Sequence, residues 1–245
     1  MPRTAVVAGV GPGLGASLAR KFAREGCRVA LFARSAEFID DLAADLPDPG
    51  TGLAVPTDLA DPDDVRASFE TVRAELGPVD VLVYNASAAG WKGLRDVSTD
   101  EFDEALAVAA RGALVCAQEA VADMLDGEQR AAGENATDSG GGTVVFTGAT
   151  SAIRGRGGAI GFSAGKFAAR GMAEDMAREL GPEGIHVAHV VLDGGILPPE
   201  GPAPGRDADE FLDPDEIAEN YWHLVEQDRS AWTLELDLRP HVEEF

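Results

Sequence analysis

The chain has 245 residues, 45% of them apolar, enough to bury the core of one α/β domain. Forty-three acids against 20 bases leave a formal charge of −23, a surface that repels nucleic acid and anionic membranes. Only three of the bases are lysines (Lys21, Lys92 and Lys166), and acid excess with scarce lysine predicts a cytoplasmic protein of an extreme halophile, where salt screens self-repulsion.

The first apolar run, Ala5–Gly9, reads as a buried strand that passes into glycines and then a helix over Leu14–Glu25. It is too short for a signal peptide or membrane helix, and no later run reaches about 18 apolar residues, so no membrane partner is expected. Cys27–Ala33 reads as a second strand, followed by a helix from Ala36 to Leu46. Gly52–Val55 is a third strand, and a helix from Pro62 to Leu76 follows Asp61 as N-cap. Val79–Tyr84 is a fourth strand, with Tyr84 in the core, and a long Ala-rich helix runs from Asp100 to Leu125. Asp126–Gly142 is polar, acidic and Gly-rich, the pattern of an exposed loop. Thr143–Thr147, a helix over Gly158–Leu180 and Val187–Leu192 continue the alternation, and Ala231–Leu238 can add a seventh strand.

Near-continuous apolar strands alternating with helices predict an α/β fold: one Rossmann-type, doubly wound parallel sheet of six to seven strands with helices on both faces. No repeat or linker divides it, so residues 1–245 form a single domain. Ligands bind beyond the carboxyl ends of such strands, which places the segment 194–225, rich in Gly and Pro up to Arg206, as a substrate loop or lid.

Some residues are set aside. Cys27 and Cys116 lie in apolar runs and read as buried hydrophobes rather than a disulfide. His186 and His189 have odd spacing in a strand and so face opposite ways, and no metal site is expected. Asn135-Ala136-Thr137 matches a glycosylation sequon that a cytoplasmic chain would not use.

The chemistry begins at Gly9-Val10-Gly11-Pro12-Gly13-Leu14-Gly15, between the first strand and its helix. Amides at a helix start point at phosphate, the helix dipole favours its charge, and glycine lets a pyrophosphate come close. Two registers fit: a general dinucleotide pattern through Gly11, Gly13 and Ala16, and Gly-x-x-x-Gly-x-Gly through Gly9, Gly13 and Gly15.

The second register resembles the short-chain dehydrogenase/reductase family, and motifs over residues 4–196 agree in order. Asp58-Leu59 looks like the family's acidic residue that contacts the adenine, and Asn85-Ala86-Ser87 like its Asn-Ala-Gly after the fourth strand. Lys166 matches the lysine of Tyr-x-x-x-Lys, which the resemblance implies holds the nicotinamide ribose. Ile196 fits the position beside the nicotinamide, with Asp193-Gly194 where Pro-Gly is expected. The end of the second strand reads Phe32-Ala33-Arg34-Ser35, with no carboxylate for a ribose 2′-hydroxyl and an arginine placed for a 2′-phosphate. NADP(H) is therefore expected over NAD(H).

The departures fall at the chemical centre. The tyrosine position is Phe162, the serine position is Ala149 and the asparagine position is Ala109, which leaves Lys166 as the retained catalytic member. Thr150, Ser151, Lys92, Arg154 and Arg156 are the polar groups nearest in sequence that could supply a proton or hold an anion, and each reads as readily as a solvated side chain. Two functions follow. One is an NADP(H)-dependent oxidoreductase acting on a small carbonyl, hydroxyl or related substrate with a non-standard proton source. The other is an NADP(H)-binding sensor or subunit partner without turnover. The resemblance implies a homo-dimer or homo-tetramer, and Ala105, Ala109, Gly112 and Ala113 would suit close helix approach between or within subunits.

Overall fold

The first strand, β1 (Thr4–Ala8), turns Ala5 and Val7 to one face and Val6 and Ala8 to the other, and all four are fully buried. A strand apolar on both sides needs cover on both sides, and this dictates helices above and below. The computed structural model describes residues 2–88, 91–131 and 141–243, and the Asn135 sequon lies outside them.

Five more strands of the main sheet are β2 (Arg28–Ala33), β3 (Thr51–Pro56), β4 (Val81–Tyr84), β5 (Thr143–Thr147) and β6 (His186–Leu192). Two short strands, β7 (Gly195–Ile196) and β8 (Phe211–Leu212), form a separate parallel pair. The last strand, β9 (Glu235–Leu238), completes a seven-stranded sheet of order β3-β2-β1-β4-β5-β6-β9, parallel throughout. The single-domain, doubly wound architecture is as expected.

Helices α1 (Leu14–Arg24), α2 (Ala36–Ala44) and α7 (Pro214–Val225) cover one face, contributing Leu18, Phe22, Ile39, Ile217 and Tyr221 to its core. Helices α3 (Pro62–Glu75), α5 (Ala113–Ala131) and α6 (Ile160–Leu180) cover the other with Phe69, Val72, Cys116 and Ala173. Fully burying each large apolar side chain stabilises the fold by about 1.5–3 kcal/mol, so both faces are held by many such contributions. Cys27 and Cys116 are free, buried thiols.

The structure differs from the sequence reading in three places. The segment 194–225 is not one lid: α7 is a core helix whose Ile217, Tyr221 and Leu224 are buried, leaving 194–212 over the cleft. Asp213 caps α7 by accepting from the Asp215 amide, with Pro214 in the first turn, a start signal that the preceding glycines and prolines mask. The long Ala-rich helix is also broken. It starts as α4 (Thr99–Leu106) on a Ser98–Glu101 capping box, passes through a π-helical stretch at Ala107–Gly112, and continues as α5 beyond the expected end. Thr99–Gly127 is long and apolar enough to cross a bilayer by composition, but Ala105, Ala109, Ala113, Ala117 and Ala120 are buried inside this chain. Third, the last strand is shorter than Ala231–Leu238, because a 3-10 turn occupies Arg229–Ala231.

Small residues join α6 to α4 and to the π-helical stretch within the subunit. A Cβ on Gly165 would stand 2.5 Å from that of Ala109, and one on Gly161 would stand 3.1 Å from that of Ala105.

Candidate active site

The carboxyl ends of β1, β2, β4, β5 and β6 open onto one cleft of about 1240 Å³. The chain adds strands in one direction from β1 to β3 and in the other from β4 onward, so the loops after β1 and β4 diverge and leave a crevice. Gly9, Gly13, Leu14, Gly15, Arg34, Ser35, Asp58, Leu59, Asn85, Ala86, Ala149, Phe162, Lys166 and Ile196 all line it. Ala109 does not; it faces α6.

The glycines of the first loop have separate causes. Gly9 has φ of 97°, and a Cβ there would stand 2.5 Å from the Ala86 amide nitrogen. A Cβ on Gly15 would stand 2.9 Å from the Gly9 carbonyl oxygen. Gly13 is different: a Cβ there meets nothing within 4 Å. Chain packing explains the first two, whereas Gly13 keeps open a space at the start of α1. That helix has no acid in its first turn and no side-chain cap, so the positive end of its dipole is left for a ligand. Asn85 fixes the loop by donating from Nδ2 to the Gly9 carbonyl at 2.9 Å. Arg34 is exposed and has no ion-pair partner among the described residues, and the Ser35 hydroxyl does not cap α2. This cradle fits a nicotinamide dinucleotide: Gly9–Gly15 would hold its pyrophosphate, Arg34, Ser35, Asp58 and Leu59 its adenosine half, and Lys166 the far ribose.

Lys166 is buried at the other end, where Nζ donates to the Thr147 carbonyl at 2.7 Å. Burial penalises its charge and pushes its pKa down to about 8. The ring of Phe162 lies one helical turn earlier, 5.7 Å from the Lys166 ammonium. Trp91 stacks on Phe162 with 5.0 Å between ring centres and 25° between planes, and it lines the cleft while 70% exposed. Sequence reasoning missed this pair, since nothing local joins positions 91 and 162.

It also undervalued Asp193, which is fully buried. Its carboxylate accepts from Thr150 Oγ1 at 2.6 Å and Arg154 Nη2 at 3.0 Å, and Arg239 Nη1 lies 3.2 Å away. A carboxylate buried this fully is costly to leave without such partners. Thr150 and Arg154 are thus committed to the framework. Lys92 is likewise tied to Glu101, whereas Ser151 and Arg156 line the cleft. Tyr84 is core, and its hydroxyl donates to the Val108 carbonyl inside the π-helical stretch. His186 and His189 do face opposite ways: His186 stacks on Trp232, and His189 bonds Glu235. Among the described residues no cluster of metal-ligating side chains occurs.

The family of short chain dehydrogenases matches residues 3–197, and the chain belongs to it. It is accordingly an oxidoreductase. The D-threitol dehydrogenase of Mycolicibacterium smegmatis is 30% identical over 186 residues, covering 76% of this chain and 67% of that protein. A crystal structure of a short-chain dehydrogenase from Rhodopseudomonas palustris superposes with a TM-score of 0.81 at 31% identity, covering 98% of this chain and 99% of that one. The reductase of Brucella melitensis acting on ketoacyl-(acyl-carrier-protein), solved with NADH, gives a TM-score of 0.83 at 25% identity, covering 98% and 97%.

Proposed function

We propose that this is an NADP(H)-dependent oxidoreductase that moves a hydride to or from a small carbonyl, hydroxyl or related substrate, without the tyrosine-centred proton relay of its family. The observation that carries this reading is the convergence of the glycine loop, Arg34, Asp58, Asn85, Lys166 and Ile196 on one cleft. The bound cofactor supplies the hydride. The protein's part is to hold the two reactants together, which lowers the barrier independently of acid–base help. Phe162 has no proton to give, Thr150 is engaged by Asp193, and Lys166 is the retained group able to pass a proton at Nζ when a substrate needs one.

Preference for NADP(H) is supported by the exposed guanidinium of Arg34, without an ion-pair partner among the described residues, at a strand end that lacks a carboxylate. Arg34→Ala is expected to weaken NADPH binding by about tenfold or more and to leave NADH nearly unchanged, as measured by nicotinamide fluorescence titration. Equal losses for both would remove the preference.

A cytoplasmic setting in molar salt is supported by the charge of −23. The screening length shortens from about 10 Å at 0.1 M salt to about 3 Å at 1 M, so most self-repulsion is lost over that range. The melting temperature is expected to rise steeply from dilute to molar KCl, and a salt-independent value would sink this reading. A homo-oligomer is supported by Leu114, Ile160 and Phe167, large apolar side chains exposed on α5 and α6.

A further inference from the structure

We propose that the cleft reduces cationic C=N compounds, iminium ions and protonated imines, to amines. The proposal rests on the NADP(H) reading above and names the substrate class of the same site.

An acceptor that already carries positive charge needs no proton donor. Hydride adds to the carbon, the C=N π pair becomes the nitrogen lone pair, and oxidised cofactor and amine remain. Atoms and charge balance with no proton entering. No proton donor is then required of positions 109, 149 and 162, which are Ala, Ala and Phe. A ketone instead becomes an alkoxide unless it is protonated, and a positioned acid is worth roughly 10²–10⁴-fold in that step.

The place of the phenol is taken by an aromatic pair. Trp91, stacked on Phe162 and 70% exposed, lines the cleft with one ring face left free of Phe162. The face of an electron-rich ring attracts an organic cation by about 0.5–2 kcal/mol, and it offers nothing to the negative charge that grows on a carbonyl oxygen. The Lys166 ammonium lies on the Phe162 side of the pair, 5.7 Å from that ring centre, so the free face in question is that of Trp91.

Carboxylates are present as well: Asp58, Glu104 and Glu243 line the cleft beside Arg34, Arg156, Lys166 and Arg206, and Arg206 is paired with Glu210.

The test pairs two reactants of one shape, N-methyl dihydroisoquinolinium and tetralone, with NADPH in molar KCl. The iminium is expected to be reduced at least about 10²-fold faster than the ketone. A second readout needs no turnover: calorimetric binding of N,N-dimethyl tetrahydroisoquinolinium, expected to weaken about tenfold in Trp91→Ala and to be largely kept in Trp91→Phe. The exposed position of Trp91 makes both variants tolerable to the fold. Comparable rates on ketone and iminium, NADPH binding without iminium reduction, or cation binding indifferent to Trp91 would each overturn the proposal. Failure to bind NADPH at all would instead overturn the cofactor reading beneath it.

Discussion

Phe162→Tyr combined with Ala149→Ser is expected to raise tetralone reduction by on the order of 10²-fold, read as NADPH oxidation in molar salt. That gain corresponds to about 2.7 kcal/mol of barrier. The frame for a restored acid is in place. Phe162 and Ala149 line the same cleft, and Lys166 lies one turn beyond Phe162 on α6, fixed by the Thr147 carbonyl. A phenol at 162 adds one oxygen to a ring that is only half-buried, and a serine at 149 adds a hydroxyl that can orient it. Ala109 is left alone, because its Cβ faces the space a side chain at Gly165 would need, and a larger residue there would push α6 away. Iminium reduction should gain little from the same change. An unchanged ketone rate with intact NADPH affinity would mean that position 162 does not face the reacting carbon.

What could be read in the sequence follows from range. The central strands were legible because they are apolar on both faces, and the glycine loop because its order and flanking elements are local. Lys166 and Phe162 were legible through their spacing on one helix. Other features arise only when distant segments meet. The Trp91–Phe162 stack joins a loop after β4 to α6, and the Asp193 cluster joins β6 to Thr150, Arg154 and Arg239. Asp193 did leave a trace: a carboxylate directly after a buried strand must find cationic partners, and arginines were available on both sides. The π-helical stretch is less accessible, since it lies where distant segments meet: a Cβ on Gly112 would strike the Leu59 carbonyl, and Tyr84 donates to the Val108 carbonyl.

Gly13→Ala is expected to lower the melting temperature less than Gly9→Ala while weakening NADPH by on the order of 10–100-fold, as for about 1–3 kcal/mol of overpacking. The reasoning starts from the backbone. Gly13 has φ of −89°, so an alanine there needs no left-handed conformation. Its Cβ would meet no protein atom within 4 Å. The methyl would project into the space that the start of α1 leaves for pyrophosphate. Gly9→Ala reverses the pattern. Its φ of 97° strains any side chain, and the Cβ would press within 2.5 Å of the Ala86 amide, so melting temperature and cofactor binding should fall together. Thermal melts and NADPH titrations on the two variants separate a glycine kept for the ligand from one kept for the chain. If Gly13→Ala bound NADPH as wild type does, the pyrophosphate would not lie at the start of α1.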